Sequence, residues 1–181
     1  MAEAKVVAVA RDGRHRFSKP CVGRIELLTG LGVEGDSHAG ALVRHRSRVK
    51  ADPAQPNLRQ VHLIHAELFE DLRAAGFVVE PGQLGENITT SGIELLALPR
   101  DTLLRIGPEA EIRITGLRNP CAQIDRFRPG MLKAVVGRAK GGSLVRKAGV
   151  MAVVSRGGSI RLGDPIEVVP PPLPHHPLER V

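Results

Sequence analysis

The sequence contains no Trp or Tyr, and its four Phe residues bring the aromatic content to only 2%. Proteins that bind single-stranded nucleic acids usually stack the bases on aromatic side chains, so this composition argues against such a role. The core must instead be filled by Val, Leu, Ile and Ala. With 181 residues, the chain is long enough to bury such a core as a single domain.

Cysteine and long apolar segments are scarce as well. The chain has two cysteines, Cys21 and Cys121, which allow one disulfide at most. The opening residues MAEAKVVAVARDG lack the uninterrupted apolar core and cleavage site of a signal peptide, and no segment reaches the length of a membrane helix. We therefore expect a cytoplasmic protein with reduced thiols and no membrane association. A cysteine in a special setting is then more readily explained as reactive or ligating than as structural.

Positive charge, in contrast, is in excess. The formal net charge is +7 and the isoelectric point about 10.2, which favours an anionic ligand or partner. Much of the excess lies in residues 11–19 and 44–50. A basic arm that contacts DNA is one explanation, but the chain contains no recognised nucleic-acid-binding motif, which disfavours nucleic acid as the partner.

Apolar periodicity predicts a series of short strands separated by Gly and Pro turns, a pattern typical of a barrel or sandwich. A helix is predicted over residues 65–76 and a second, short one over 130–138. Residues 44–59 show no periodicity and are expected to form a long surface loop. Residues 170–181 form a Pro-rich tail that should not continue a sheet and whose removal should barely change thermal stability. The predicted strands are residues 5–10, 21–29, 60–64, 95–98, 102–106, 110–115, 150–155, 160–162 and 166–169.

The stretch IRITGLRNPCAQIDRFR, residues 112–128, predicts a strand followed by the start of a helix. Asn119 is a good N-cap and Pro120 suits the first helical position, which would place Cys121 in the first turn. The N–H groups of a helix start favour a thiolate, as do nearby cations, here Arg118, Arg126 and Arg128. Cys121 is therefore the candidate catalytic residue. The alternative is that Cys121 is a small buried hydrophobe. Cys21, at the edge of a predicted strand and without a capping signal, is interpreted as structural.

Two Gly-rich loops carry further polar candidates. In GLGVEGDSHAG, residues 30–40, Asp36 and His38 are two positions apart, so in an extended segment both side chains would point the same way. This spacing suits a metal or a polar ligand, although an Asx turn closed by Asp36 explains it equally well. In PGQLGENITTS, residues 81–91, Glu86 and Asn87 are placed to orient a polar ligand. His62 and His65 are expected to serve packing or local hydrogen bonding.

Taken together, four segments resemble the MOSC domain, the family named after the C-terminal domain of molybdenum cofactor sulfurases. The segments are GVEGDSHAG, PGQLGENITTSGIELLALP, TGLRNPCAQID, and GVMAVV followed by GGSIRLGDPIEVV. Each is unspecific alone, but their order and spacing match the family over residues 20–169. The resemblance implies a mostly β, barrel-like fold with a few short helices. Residues 1–169 would then form one MOSC domain, and residues 170–181 a tail.

The resemblance also implies a function. Members are associated with the molybdopterin form of the molybdenum cofactor, and the characteristic cysteine, here Cys121, is thought to ligate molybdenum or to carry sulfur. Some stand-alone relatives help to reduce N-hydroxylated compounds such as hydroxylaminopurines. The chain lacks the aminotransferase domain of the full sulfurases, so pyridoxal phosphate is not expected. The expected partners are a small-molecule substrate and an electron or sulfur donor. Whether the protein forms a homodimer is left open by the sequence.

The cofactor contains a phosphate and a polar pterin, which bind to cations, backbone N–H groups and fixed acceptors. The residues expected to supply these contacts in one pocket with Cys121 are Asp36, His38, Glu86, Asn87, Arg118 and Asn119. Two other classes of function remain as alternatives. A Cys/His-dependent hydrolase would need a base beside Cys121, with His38 or His62 as the candidates. A non-catalytic module that binds anions or nucleic acid would need no cysteine at all.

Overall fold

A computed structural model describes residues 3–44, 46–138 and 141–181, apart from the side chain of Ser47. Within these residues the strands are β1 Lys5–Ala10, β2 Cys21–Val22, β3 Arg24–Leu28, β4 Gly32–Val33, β5 Val61–His65, β6 Ile88–Ser91, β7 Leu103–Ile106, β8 Ala110–Leu117, β9 Val136–Arg138, β10 Leu144–Arg146, β11 Val150–Arg156, β12 Gly158–Arg161 and β13 Ile166–Val169. The helices are α1 Arg46–Ala51, α2 Glu67–Ala74, α3 Ala122–Phe127 and α4 Met131–Val135, together with a short 3₁₀ helix at Leu95–Ala97.

Eight of the strands form one sheet in the order β13-β7-β8-β11-β5-β6-β1-β2. Neighbours are antiparallel except β5 and β6, which are parallel and connected through α2. A second sheet has the order β12-β3-β4, and β9 pairs with β10. The prediction of a mostly β fold with a few short helices is confirmed. No closed ring of paired strands is found among the described residues, so the barrel stays a prediction.

The core consists of two clusters of aliphatic side chains. On β8, Ile112 and Ile114 are fully buried and Arg113 between them is not, which is the alternation expected of a strand with one face on the core. The larger cluster joins this face to the buried side chains of β1, β3, β5 and β11, and its buried members are Val, Ile, Leu and Ala. A smaller cluster packs α2, α3 and α4 together through residues such as Leu68, Ile124 and Met131.

Three secondary-structure predictions are wrong. The predicted strand 95–98 is instead the 3₁₀ helix Leu95–Ala97, because the apolar run reflects burial of Leu95 and not a period of two. The predicted loop 44–59 contains helix α1. The predicted helix 130–138 ends at Val135 and continues as β9, where two successive valines and Gly137 lower the helix propensity.

The helix that follows β8 also begins later than predicted. It has six residues, and Cys121 is its N-cap with extended backbone angles (φ −133°, ψ 170°) rather than a residue of the first turn. Asn119 and Pro120 therefore lie outside the helix. Upstream, a bulge between β8 and β11 leaves Thr115 as an extra residue, since Met151 pairs with Gly116 and Ala152 with Ile114. This bulge sets the direction in which the chain leaves β8 toward Cys121.

The tail does continue a sheet, contrary to the prediction. Arg180 forms a parallel bridge with Leu117 at the end of β8. The Leu117 N–H donates to Glu179 O at 2.7 Å, and the Val181 N–H donates to Leu117 O at 3.2 Å. Gly116 makes this approach possible, because a Cβ at that position would collide with Glu179 O and the Val181 side chain. Proline keeps residues 170–174 out of the sheet, but the last four residues contain none.

Deleting residues 178–181 should therefore destabilise the protein. The deletion removes the apolar packing of Leu178 against the larger cluster and the two main-chain hydrogen bonds to Leu117. A loss of about 2 kcal/mol is expected, which lowers the melting temperature of a domain this size by about 4–8 °C in calorimetry. Arg180→Ala, which removes an exposed side chain, is the control. A truncated protein that melts within about 1 °C of the full chain would contradict the docking of the tail.

Candidate functional site

Four connecting segments and two strands surround a cavity of about 260 Å³. The segments are the connection from β1 to β2, the long loop between β4 and β5, the turn before β6, and the residues that follow β8, and the strands contribute His62 of β5 and Met151 of β11. Among the predicted site residues, the cavity is lined by His38, Asn87, Arg118, Asn119 and Cys121. The structure thus brings together side chains more than 80 positions apart in the sequence. Asp36 and Glu86 do not line the cavity among the described residues, because both lie buried behind its wall.

Asp36 connects three of the segments behind the cavity. Its Oδ2 lies 2.8 Å from Lys19 Nζ, and both side chains are almost completely buried. The same oxygen accepts from Asn87 Nδ2 at 3.0 Å and from the Asp12 N–H at 3.3 Å. Oδ1 accepts from the His38 N–H at 3.0 Å, which confirms the Asx-turn interpretation, and lies 3.3 Å from His38 Nδ1. Asp36 therefore connects these loops and holds them in place.

The electrostatics of this pair follow from its burial. Burial lowers the pKa of Lys19, although the neighbouring Asp36 carboxylate acts in the opposite direction. For Asp36, burial acts to raise the pKa, but hydrogen bonding to His38 and the charge of Lys19 outweigh it and hold the pKa below its usual value. The carboxylate is consequently ionised at neutral pH.

Asn87 lines the cavity, whereas its neighbour Glu86 lies buried behind the wall. Asn87 donates to Ala10 O at 3.2 Å and accepts from the His62 N–H at 3.1 Å, so it links β1 to β5. The fully buried Glu86 accepts from the Gly82 N–H at 2.6 Å through Oε1. Burial raises the pKa of its carboxyl, and its Oε2 has no hydrogen-bond partner among the described residues.

Cys121 lies half-buried on the cavity wall, and its Sγ donates to Gln123 Oε1 at 3.5 Å. Arg59 and Arg118 lie within electrostatic range of Cys121. Burial, with help from Arg48 and Arg118, lowers the pKa of Arg59 to about 10, so Arg59 is still a cation at neutral pH. The Arg118 guanidinium lies over the Phe17 ring at 5.6 Å, and its buried Nη1 has no partner within the described part of the chain.

The two histidines considered as hydrolase bases have other partners. His62 is buried, and its Nε2 donates to Ala148 O at 2.8 Å. Burial, reinforced by the charge of Arg118, holds the pKa of His62 well below its usual value, so this ring is neutral. His38 Nδ1 interacts with Asp36 and Ser37. Since the hydrogen bond of Cys121 goes to Gln123, this arrangement gives no support to a Cys/His hydrolase.

Sequence reasoning missed several residues of the site. Lys19 and Arg59 were read only as part of a basic surface, and no sequence signal distinguishes a buried cation from a solvated one. Asn57 donates to both His38 O and Gly40 O at 2.9 Å, which fixes the loop that carries His38. Its position between Pro56 and a predicted strand is the kind of signal that marks a loop-anchoring amide.

Other features limit what the site can hold. Residues 3–44, 46–138 and 141–181 contain no group of three or more His, Cys, Asp and Glu side chains that could hold a metal ion, so the idea that Asp36 and His38 ligate a metal with protein groups alone finds no support.

The other cysteine, Cys21, is exposed and donates to Pro81 O at 3.3 Å, and desolvation by its neighbours raises the pKa of its thiol. In the part of the chain that the structure describes, no helix could span a bilayer.

The MOSC domain family model matches residues 36–167, which include Asp36, His38, Asn87 and Cys121. The chain belongs to the MOSC domain family. Three solved structures show that other proteins share this fold. The YuaD protein of Bacillus subtilis is 23% identical, with a TM-score of 0.76 over 94% of this chain and 98% of that one. YiiM of Geobacillus stearothermophilus is 16% identical, with a TM-score of 0.68 over 96% and 79%. YiiM of Escherichia coli is 21% identical, with a TM-score of 0.59 over 93% and 71%. No match was found among curated proteins.

In this MOSC domain, replacing Lys19 should be strongly destabilising. Lys19→Ala leaves the Asp36 carboxylate buried without its counter-ion, which typically costs about 3–5 kcal/mol in the free energy of unfolding. The matched control is Arg24→Ala, since Arg24 pairs with Glu26 at 3.4 Å on the surface and should leave stability nearly unchanged. Urea denaturation of both variants measures the difference. Equal, small effects would show that the buried pair does not stabilise the fold.

The buried His62 should make stability fall in mild acid. Its pKa is depressed in the folded state, so below a pH of about 6.5 the unfolded chain binds a proton that the folded chain does not. Between pH 7.5 and 5.5 this residue should remove about 1.4 kcal/mol from the free energy of unfolding. His62→Gln should abolish that part of the pH dependence, whereas His176→Gln in the exposed tail should retain it. An unchanged pH dependence in His62→Gln would contradict the assignment.

Proposed function

We propose that this protein binds the molybdenum cofactor in the cavity, with Cys121 as its sulfur ligand, and acts as an oxidoreductase on N-hydroxylated small molecules. The observation that carries the proposal is a cysteine sulfur on the wall of a cavity lined by several cations, one of which has a buried nitrogen without a hydrogen-bond partner among the described residues. Family membership supports the cofactor class. The barrel-like closure of the sheets, a cytoplasmic location and a separate electron donor belong to the same proposal.

The residues of the inner wall suit an anionic group. Buried donors in proteins almost always have a hydrogen-bond partner, so the unpartnered Nη1 of Arg118 calls for an acceptor, and the oxygen of a phosphate supplies one. Lys19 and Arg59 line the same cavity and add two further positive charges. These three side chains would hold the phosphate-bearing part of the cofactor.

The outer part of the cavity is also cationic. Arg44 and Arg46 are exposed, Arg48 is half-buried, and all three line the cavity from the long loop and helix α1. Exposed cations at the mouth of a cleft raise the local concentration of an anion and its rate of association. We assign to these residues the attraction of the anionic cofactor rather than its final binding.

Cys121 supplies a sulfur ligand of the kind that suits molybdenum. Thiolates are soft ligands, and the other lining groups are nitrogen and oxygen donors and apolar side chains. When bound, the cofactor would supply the capacity for two-electron oxidation and reduction. The protein positions Cys121 at the N-cap of α3, and the half-buried Phe17 covers one side of Arg118 and limits the access of water.

Replacing Cys121 should remove the metal without unfolding the protein. Cys121→Ser is expected to lower the molybdenum content of native protein at least about tenfold, because a ligand to the metal is lost. Its melting temperature should stay close to that of the wild type, since the side chain is half-buried and is not part of the core. Molybdenum is measured by plasma mass spectrometry, and the pterin by fluorescence after oxidation.

Cys21→Ser is the matched control, and it should retain both the metal and the pterin. Equal losses of metal from the two variants would contradict the assignment of Cys121. A persulfide on Cys121 in intact-protein mass spectrometry, in the absence of molybdenum, would show instead that the protein is a sulfur carrier. Anion binding that survives in Cys121→Ser without any pterin would favour a non-catalytic module.

A further inference from the structure

The tail reaches the wall of the cavity as well as the sheet. Val181 accepts hydrogen bonds from the side chain of Arg59, one of the cations that line the cavity. We propose that Val181 is a positioning residue, whose main-chain oxygen holds the Arg59 guanidinium in the orientation that binds an anionic group in the cavity. The inference rests on the proposed function for the anion. The contact between Val181 and Arg59 comes from this chain alone.

In this contact, one edge of a guanidinium meets a single acceptor. Arg59 Nε donates to Val181 O at 2.9 Å, and Nη2 donates to the same oxygen. Because the guanidinium is planar and rigid, two bonds along one edge fix the direction of the whole group. The remaining N–H donors, on Nη1 and on the far side of Nη2, are left for an anion in the cavity that Arg59 lines.

The surroundings of Arg59 explain why its side chain needs to be held. The charged groups that act on it most strongly, within the described part of the chain, are the cations Arg48 and Arg118, together with Cys121. Like charges repel, so the two neighbouring cations favour positions of the flexible side chain farther from the cavity. The hydrogen bonds to Val181 oppose that displacement.

The main chain around Arg59 is already fixed by other contacts. The Arg59 N–H donates to Asn57 Oδ1 at 3.0 Å, and Leu58 O accepts from Thr115 Oγ1 at 2.6 Å. The variable part is therefore the side chain, and a long side chain of this kind has many rotamers to lose on binding. A contact that orders it before the anion arrives removes this entropic cost from the binding step.

The tail can hold Arg59 because the tail is itself anchored. Leu178 packs against the larger core cluster, and the main chain of residues 179–181 is hydrogen-bonded to Leu117 at the end of β8. Leu117 is followed directly by Arg118, which lines the cavity. The tail and the cavity are thus joined through the end of one strand.

A purely structural role of the tail does not account for the contact with Arg59. The bonds to Leu117 and the packing of Leu178 dock the tail without it. The contact joins the docked tail to a cation of the cavity. Detaching the tail should consequently weaken the binding of an anion in a protein that stays folded.

The decisive variant is Gly116→Ala, which displaces the tail without deleting it. The added Cβ would collide with Glu179 O and with the Val181 side chain. The full chain, produced in a host that cannot make molybdopterin, is titrated with inorganic phosphate by calorimetry. Gly116→Ala should raise the dissociation constant about three- to tenfold, the range that corresponds to ordering one rotamer-rich side chain. Gly23→Ala, whose added Cβ meets no atom within contact distance, is the matched control and should bind phosphate as the wild type does.

A double-mutant cycle shows whether the tail acts through Arg59. Arg59→Ala should raise the dissociation constant for phosphate at least about tenfold, because a hydrogen-bonding cation is lost. Gly116→Ala in the Arg59→Ala background should then cause no further loss, since changes that remove the same interaction are not additive. An equal loss from Gly116→Ala with and without Arg59 overturns the inference.

A further measurement needs no ligand. In nitrogen-15 NMR of arginine-labelled protein, the Arg59 Nε–H should exchange slowly with water, with the signal assigned by its loss in Arg59→Lys. Gly116→Ala and the deletion of residues 178–181 are two separate ways to detach the tail, and each should speed this exchange. A wild-type Arg59 signal that exchanges as fast as those of the exposed arginines overturns the inference, and this result does not depend on a detached variant that folds.

The outcomes separate this inference from the proposed function. Phosphate binding that Arg59→Ala weakens and that detachment of the tail leaves unchanged overturns the inference alone. A wild-type protein that binds no phosphate overturns the assignment of the cavity as an anion site and, with it, the role of Val181.

Discussion

The arrangement of the site depends on one buried ion pair, between Lys19 and Asp36. Removing two charges from water is expensive, and such a pair is retained only where further hydrogen bonds satisfy the remaining donors and acceptors. Here Asn87, the Asp12 N–H and the His38 N–H do so. The same contacts bind the connection after β1, the Gly-rich loop and the turn before β6 to one another. The ion pair therefore fixes the relative positions of three of the segments that form the cavity.

The predictions that depended on local pattern succeeded. The alternation of Ile112 and Ile114 identified β8, and the segment GVEGDSHAG identified a loop that lines the cavity through His38 and contains the Asx turn. Predictions failed where tertiary contacts override local preference. Cys121 caps α3 instead of lying within it, because the path of the chain out of β8 is set by a bulge and by the bond from the Arg118 N–H to Gly149 O. No feature of residues 118–121 encodes that contact.

Burial was the property that the sequence revealed least. Lys19 belongs to a basic segment in which His15 and Arg16 are exposed, yet its own side chain is almost inaccessible. Asp36 and Glu86 were expected to contact a ligand and lie behind the wall instead. The difference arises from long-range packing, since β2, β3 and β4 lie between Lys19 and Asp36 in the chain and the two side chains meet only in the folded structure. The sequence thus predicted which residues lie near the cavity. It did not predict which of them line the cavity and which lie buried behind its wall.

The residues that line the cavity lie between positions 15 and 151, and no short stretch of the chain contains most of them. No short fragment of the chain contains enough of it to bind a ligand, and an unfolded chain offers no site at all. A ligand of this cavity can therefore bind only after nearly the whole domain has been synthesised and has folded. By mass action, a ligand that binds only the folded form stabilises it by an amount that grows with the ratio of the free ligand concentration to the dissociation constant. Protein with such a ligand bound should accordingly resist a protease for longer than protein without it.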